Sequence, residues 1–286
     1  MNRRAPALLQ ALLVGAAAAA VAASCAGPPP PPPAGAVPIL FVHGYGENAA
    51  VWDDMISHLE ERGYPADYLK AVSLAPAEGG TIAAAEGQLA PAVEELTKVG
   101  GGGKVDIVAH SMGALSSRWY ADKMKPERVR TVLTIGGANH GTNVLCGSAG
   151  DGARDLCPAF ATDPANAVQT GLNGALRKPT DETPWGVGPD AEGVPSVHAD
   201  ANRAIRYITV TIPNDQWIQP VASTTLSGAG PAVALPQGAA ADQPTPGNLV
   251  FTAPTDHDAI LHDKGFFAVL DAVLPGSGGP SVVGGL

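Results

Sequence analysis

Positive charge is scarce in this sequence. Its 17 lysines and arginines face 27 aspartates and glutamates, leaving a formal net charge of −10. A nucleic-acid partner needs a clustered basic surface, so that class is excluded. Charged residues of both signs reach only 15%, while apolar residues reach 45% of the 286 residues, enough for a full core rather than a disordered chain. No self-similarity appears at the roughly 33- to 47-residue periods of helical solenoids. Cysteine is limited to Cys25, Cys146 and Cys157, and no Cys/His spacing fits a zinc site. Neither a P-loop nor a dinucleotide-binding G-x-G-x-x-G is present. The length suits one large α/β domain or two small ones.

What is present begins with a leader. "MNRR" supplies positive charge, "APALLQALLVGAAAAAVAA" is apolar, and small residues follow. Residues 1–24 therefore have the layout of a secretory signal peptide. The alternative is a transmembrane helix, but alanine dominates the stretch and it runs straight into small residues and prolines. Residues 25–36 read as a polyproline spacer, and the folded domain is expected over residues 37–274. Cys25 ends "AASC", which resembles a bacterial lipobox except that Ala22 stands where leucine is usual. Lipidation of Cys25, with attachment to a membrane, is one expectation; ordinary cleavage after Ala23 is the other. Either way the domain lies outside the cytoplasm, where disulfides persist, and Cys146 would pair with Cys157. Closing that loop should stabilise the fold by about 3 kcal/mol on a chain-entropy account.

Short apolar runs then alternate with helical patterns. "VPILFVHG", "DYLKAVSL", "KVDIVAH", "RVRTVLTIGG", "AIRYITVTI" and "NLVFTAP" read as strands. "AVWDDMISHLEERG", "TIAAAEGQLAPAVEELTKV" with a kink or restart at Pro91, the segment after Ser111, and "DAILHDKGFFAVLDAVL" read as helices. Residues 136–204 have little periodicity and are expected to be an irregular cleft rim, with a floppy surface excursion as the alternative. Residues 275–286 read as a flexible tail. The alternation implies an α/β fold with a mostly parallel central sheet and helices on both faces. Functional groups in such folds collect beyond the C-terminal ends of the strands. There the sequence places His43, His110-Ser111, Pro213-Asn214-Asp215 and Thr255-Asp256-His257.

"AHSMG", residues 109–113, lies between a strand and a helix and matches the G-x-S-x-G nucleophile elbow except for Ala109 at the first glycine. The alternative role for Ser111 is a helix N-cap. An acid and a base downstream favour the nucleophile. Chain order in this architecture is serine, acid, histidine. His140 comes too early, His198 sits in irregular sequence and His262 inside a helical pattern, which leaves His257. Asp215 follows a strand and a turn and is the chosen acid, ahead of Asp181, Glu182 and the neighbours Asp256 and Asp258. Two backbone N–H groups should receive the oxyanion, one from Met112 and one from Tyr45, where Gly44 and Gly46 let the loop turn inward. A glycine-rich loop after a strand could instead cradle phosphate, but with neither phosphate-binding pattern present that reading is set aside.

"ILFVHGYGEN", "VDIVAHSMGALSSRWY", "VLTIGGANHGT", "ITVTIPNDQWIQP" and "DHDAILHD" together resemble successive blocks of the class 2 bacterial lipases. These are secreted α/β-hydrolases that cleave triacylglycerols and simpler esters, and Ala-His-Ser-Met-Gly is a familiar form of their elbow. The resemblance implies nucleophile Ser111, acid Asp215, base His257, and oxyanion donors Tyr45 and Met112. It weakens from Asn143 to Ala204, where acyl-chain preference and any lid would be encoded. The implied activity is a triacylglycerol lipase or esterase acting on lipid or small ester substrates, with no cofactor needed and a structural calcium ion left open. Alternatives with the same three residues are an acyltransferase and a polyester depolymerase. A non-catalytic binding module of hydrolase fold is the alternative from another class.

Overall fold

The computed structural model describes residues 31–146, 148, 150–158, 166–173, 205–226, 232–235 (backbone only) and 247–274. The chain divides into two compact units, Met1–Pro31 and Pro32–Leu286. The leader, Cys25, the first half of the proline spacer, the tail, Asp181, Glu182 and His198 lie outside the described residues. Among those described, no helix is long and apolar enough to cross a membrane.

The second unit is an α/β-hydrolase fold. Seven strands form one sheet, β1 (Ile39–Val42), β2 (Leu69–Val72), β3 (Val105–His110), β4 (Val129–Ile135), β5 (Arg206–Thr211), β6 (Ala232–Leu235) and β7 (Asn248–Phe251). Their order is β2-β1-β3-β4-β5-β7-β6, and every neighbouring pair is parallel. The helices are α1 (Asp53–Glu61), α2 (Thr81–Ala84), α3 (Ala90–Val99), α4 (Gly113–Trp119), α5 (Asp151–Asp155), α6 (Ala167–Asn173) and α7 (Lys264–Val273).

The strands are continuous apolar runs because both faces of the sheet are covered, and the period-2 alternation of side chains divides each strand between two cores. Ile39, Phe41, Val108, Leu133, Val210 and Phe251 pack with Met55 and Leu59 of α1 and Phe266 and Leu270 of α7. Leu40, Val42, Ile107, Ala109 and Val132 pack on the other side with Val93 and Leu96 of α3. Fully burying one such side chain contributes roughly 1.5–3 kcal/mol.

Local chemistry sets the helix boundaries. Asn48 caps the turn leading into α1 by accepting the Ala50 N–H, and Gly63 ends that segment with a φ of 94°. The expected kink at Pro91 is a π-turn over Ala85–Leu89 that joins α2 to α3. Proline has no N–H for the carbonyl four residues back, and a widened turn accommodates that loss. The last helical pattern divides in two. A 3-10 turn spans Ala259–His262, and α7 starts afresh because the Asp263 side chain accepts the N–H groups of Gly265 and Phe266.

Two expectations are corrected. Residues 136–204 are not uniformly irregular, since α5 and α6 lie within them. Strand β6 passed unnoticed, because "AVAL" is four residues inside a glycine- and proline-rich stretch that carries no strand periodicity of its own.

Candidate active site

Ser111 sits in the two-residue turn between β3 and α4 with a φ of 53°, and no other described non-glycine residue has a positive φ. Left-handed backbone is costly for serine, on the order of 1–3 kcal/mol, and persists only when its surroundings hold it. The Ser111 N–H donates to the Ile135 carbonyl at 3.1 Å, and its own carbonyl accepts from Ala114 and Ala138 at 3.2 and 3.1 Å. An N-cap residue would have extended backbone instead. The N-cap position of α4 falls on Met112, which makes no side-chain capping bond, so the capping role weighed for Ser111 is set aside.

Close approaches explain the glycines. A Cβ on Gly113 would lie 2.5 Å from the His43 carbonyl oxygen and 2.6 Å from that of Val42, so only glycine lets α4 start against the end of β1. A Cβ on Gly44 would lie 2.7 Å from the Ser111 Cβ, which places the loop after β1 directly against the serine. Ala109, by contrast, buries its methyl in the sheet core, so the missing glycine at that position is accommodated by ordinary packing.

Beyond β5, Asp215 is wholly buried. Its Oδ1 accepts the N–H groups of Trp217 and Ile218, each at 2.8 Å, and its Oδ2 accepts from His257 Nδ1 at 2.7 Å. The carboxylate is thus fixed by its own turn and fixes the imidazole in turn. With Nδ1–H donating to Asp215, Nε2 is the basic nitrogen. Gly136, at the end of β4, has a φ of 52°, and a Cβ there would stand 3.0 Å from His257 Nδ1 and 3.2 Å from Asp215 Oδ2.

The rejected candidates have other tasks. Asp256 Oδ1 accepts the N–H groups of Asp258 and Ala259, capping the following turn. His262 pairs with Asp54 on the surface at 2.8 Å. The buried His140 donates its backbone N–H to the Ser223 carbonyl. Cys146 and Cys157 form a disulfide, an arrangement that points to a protein outside the cytoplasm.

The loop carrying Tyr45 is held at several points. His43 Nε2 accepts the Leu74 N–H at 2.8 Å and its Nδ1 faces the Gly44 carbonyl at 2.7 Å, which requires a neutral ring protonated on Nδ1. Burial lowers the His43 pKa and outweighs the opposing pull of the Gly44 carbonyl and Glu47. The Gly46 N–H donates to the Ala77 carbonyl at 3.3 Å, and Tyr45 packs at the edge of a cluster containing Met112, Leu115, Leu156, Val168 and Ile218. That cluster joins the serine turn to α6 and the segment after α5, so the described part of the rim packs against the elbow.

One pair was missed from the sequence. Glu47 Oε2 accepts the Gly44 N–H at 2.6 Å and lies 3.1 Å from His110 Nδ1, while His110 Nε2 lies 2.9 Å from the His257 carbonyl oxygen. An acid at the end of the glycine-rich loop together with a histidine next to the serine was the available signal. His110, His257 and Asp258 form the one described trio whose ligand atoms crowd within 4.8 Å of one another. Both His110 nitrogens already serve Glu47 and the His257 carbonyl, and His257 Nδ1 serves Asp215, so the trio is not arranged to hold a metal ion.

A strained serine between a central parallel strand and a helix, with a hydrogen-bonded aspartate and histidine beyond later strands of the same sheet, accords with the α/β-hydrolase fold. Within that class, residues 36–162 match the model of the lipase (class 2) family, bearing out the resemblance read from the sequence over the part that carries Ser111. Among solved structures, a Bacillus licheniformis lipase in mature form is similar at 19% identity and a TM-score of 0.46, over 65% of this chain and 69% of that one. A pyrethroid hydrolase is similar at 16% identity and 0.47, over 82% and 96%. Lipase B of Aspergillus fumigatus is similar at 16% and 0.46, over 68% and 42%.

Proposed function

We propose that this protein is a serine ester hydrolase acting outside the cytoplasm on carboxylic esters of lipids, as a triacylglycerol lipase or esterase. The observation that carries the reading is the positive φ of Ser111 beside the Asp215–His257 hydrogen bond. In the proposed reaction His257 Nε2 takes the Ser111 proton as the hydroxyl oxygen attacks the ester carbonyl carbon. Asp215 keeps the imidazole in the required tautomer and balances the charge it acquires. The Met112 and Tyr45 N–H groups receive the oxyanion. Return of the proton to the departing alkoxide leaves an acyl-serine, which water then hydrolyses by the same steps. This chemistry draws only on the chain's own groups. Secretion by the leader, and anchoring of the mature protein through a lipidated Cys25, are part of the same proposal.

The test is turnover of p-nitrophenyl esters of increasing acyl length and of emulsified triolein, with the Ser111→Ala variant alongside. Hydrolysis of both soluble esters and emulsion, lost in the variant, supports the reading. Preference for an alcohol acceptor over water would favour an acyltransferase, and activity confined to polymer films a depolymerase.

A further inference from the structure

Three loops meet at the serine: the oxyanion loop after β1, the elbow after β3, and the loop carrying His257 after β7. Each makes a hydrogen bond to one pair of side chains, the buried His110 and the half-buried Glu47. Glu47 takes the Gly44 N–H from the first loop and His110 Nδ1 from the second on the same oxygen, and His110 Nε2 reaches the His257 backbone carbonyl of the third. Both partners of the His110 ring are acceptors, a carboxylate and a carbonyl. With Glu47 ionised, both ring nitrogens carry hydrogen, and His110 is an imidazolium although it is fully buried.

We propose that the Glu47–His110 ion pair is a positioning device that holds the oxyanion loop and the His257 loop in register with Ser111. The inference rests on the serine-hydrolase reading above, and it adds two charged residues that touch no substrate. Removing the Glu47 charge strands that of His110 in a buried place, where an unpaired ion is far more costly than a neutral group. The other charged or titratable groups that face His110 are His43 at the end of β1, and His257 and Asp258 beyond β7. Burial alone would pull the His110 pKa down, but the hydrogen bond and charge of Glu47, the His257 carbonyl and Asp258 together raise it. Burial would likewise push Glu47 up, yet its contacts with His110 and the Gly44 N–H hold it below its ordinary value. Both directions favour the charged forms of the pair.

Glutamine at position 47 separates charge from shape. Its amide oxygen can accept both N–H groups while His110 stays protonated, but without the carboxylate His110 loses its proton at lower pH. A bare ring nitrogen then faces an acceptor and one loop is released. If the amide flips to donate to that nitrogen, the Gly44 N–H loses its acceptor instead.

The experiment measures kcat and KM across pH with p-nitrophenyl butyrate for the wild type, Glu47→Gln and Glu47→Ala. Thermal melts and stoichiometric labelling by an organophosphonate accompany the kinetics. The wild type should take one label per chain, on Ser111. Glu47→Gln should fold, keep KM within about threefold, and show kcat falling toward alkaline pH where the wild type holds level. Glu47→Ala should lose on the order of 10²-fold in kcat at all pH values, the scale of losing one oxyanion donor. Should Glu47→Ala fail to fold, the profile of Glu47→Gln decides alone. A Glu47→Gln profile parallel to the wild type would overturn the pair's role while leaving the hydrolase reading intact. So would a rise in KM at unchanged kcat, because Glu47 would then act on substrate binding. A wild type that takes no label would overturn both.

Discussion

The strand-end cluster and the rim are built by different means. Ser111, Asp215 and His257 sit beyond the ends of parallel strands, each within one to six residues of a strand end in the sequence, and are held by buried hydrogen bonds. The described part of the rim between Thr142 and Asn173 is held by one disulfide, by two short helices, and by Asn166, whose amide group donates to the carbonyls of Arg154, Asp155 and Cys157. The sheet fixes the proposed catalytic groups, and the described rim, locally stapled, packs against the elbow. The comparison teaches that damage to the first should appear in kcat, and damage to the second in stability or substrate choice.

The largest effect should come from His257→Ala. Serine and histidine act as one unit, so the loss should approach that of removing the nucleophile, on the order of 10⁶ in kcat. Steady-state hydrolysis of p-nitrophenyl butyrate, with a melt to show retained folding, checks this. Next come the two aspartates beside the histidine. Asp215→Asn should cost about 10⁴ in kcat by favouring the wrong imidazole tautomer, the scale of that exchange in a serine protease. Asp256→Asn keeps an oxygen to cap the turn of Asp258 and Ala259, and should stay within about tenfold of wild type. A crippled Asp256→Asn beside an active Asp215→Asn would reverse the assignment of the acid.

The placement of the candidate residues beyond the strand ends was legible in the sequence because it follows chain order and local pattern. A buried apolar run ending in "AHSMG", a later run ending in "PND", and a histidine before the last helix suffice to nominate Ser111, Asp215 and His257. The φ of Ser111 was legible only by analogy with the motif, since serine has no intrinsic preference for that conformation. Glu47 and His110 escaped notice because their partnership spans 63 residues and leaves no periodic trace. Strand β6 escaped because four residues among glycines and prolines cannot be told from a loop until β7 pairs with them. The rim helices escaped because α5 and α6 are five and seven residues long, too short to display a 3.6-residue stripe.

A smaller effect separates the charged pair from its surroundings. The folded Glu47 pKa lies below 4.5, so its stabilisation is complete above that pH and is lost as pH falls through the lower folded value. The folded His110 pKa lies above 6.5, so its contribution is complete below that pH and is lost as pH rises through the higher folded value. The melting-temperature gap between wild type and Glu47→Ala should therefore be widest between pH 4.5 and 6.5 and narrow on both sides. A gap independent of pH would mean the pair is not charged in the fold. The smallest effect on turnover should come from the rim. Replacing Cys146 and Cys157 together by serine should lower stability by about 3 kcal/mol. Short-ester kcat should stay within several-fold, because the disulfide touches none of the strand-end groups.

The most direct measurement maps the organophosphonate adduct by peptide mass spectrometry in wild type and Ser111→Ala, with esterase rates taken on the same samples. The account expects one adduct, on the peptide containing Ser111, that disappears in Ser111→Ala together with turnover while the melt is unchanged. An adduct on another residue, or wild-type turnover by Ser111→Ala, would contradict it.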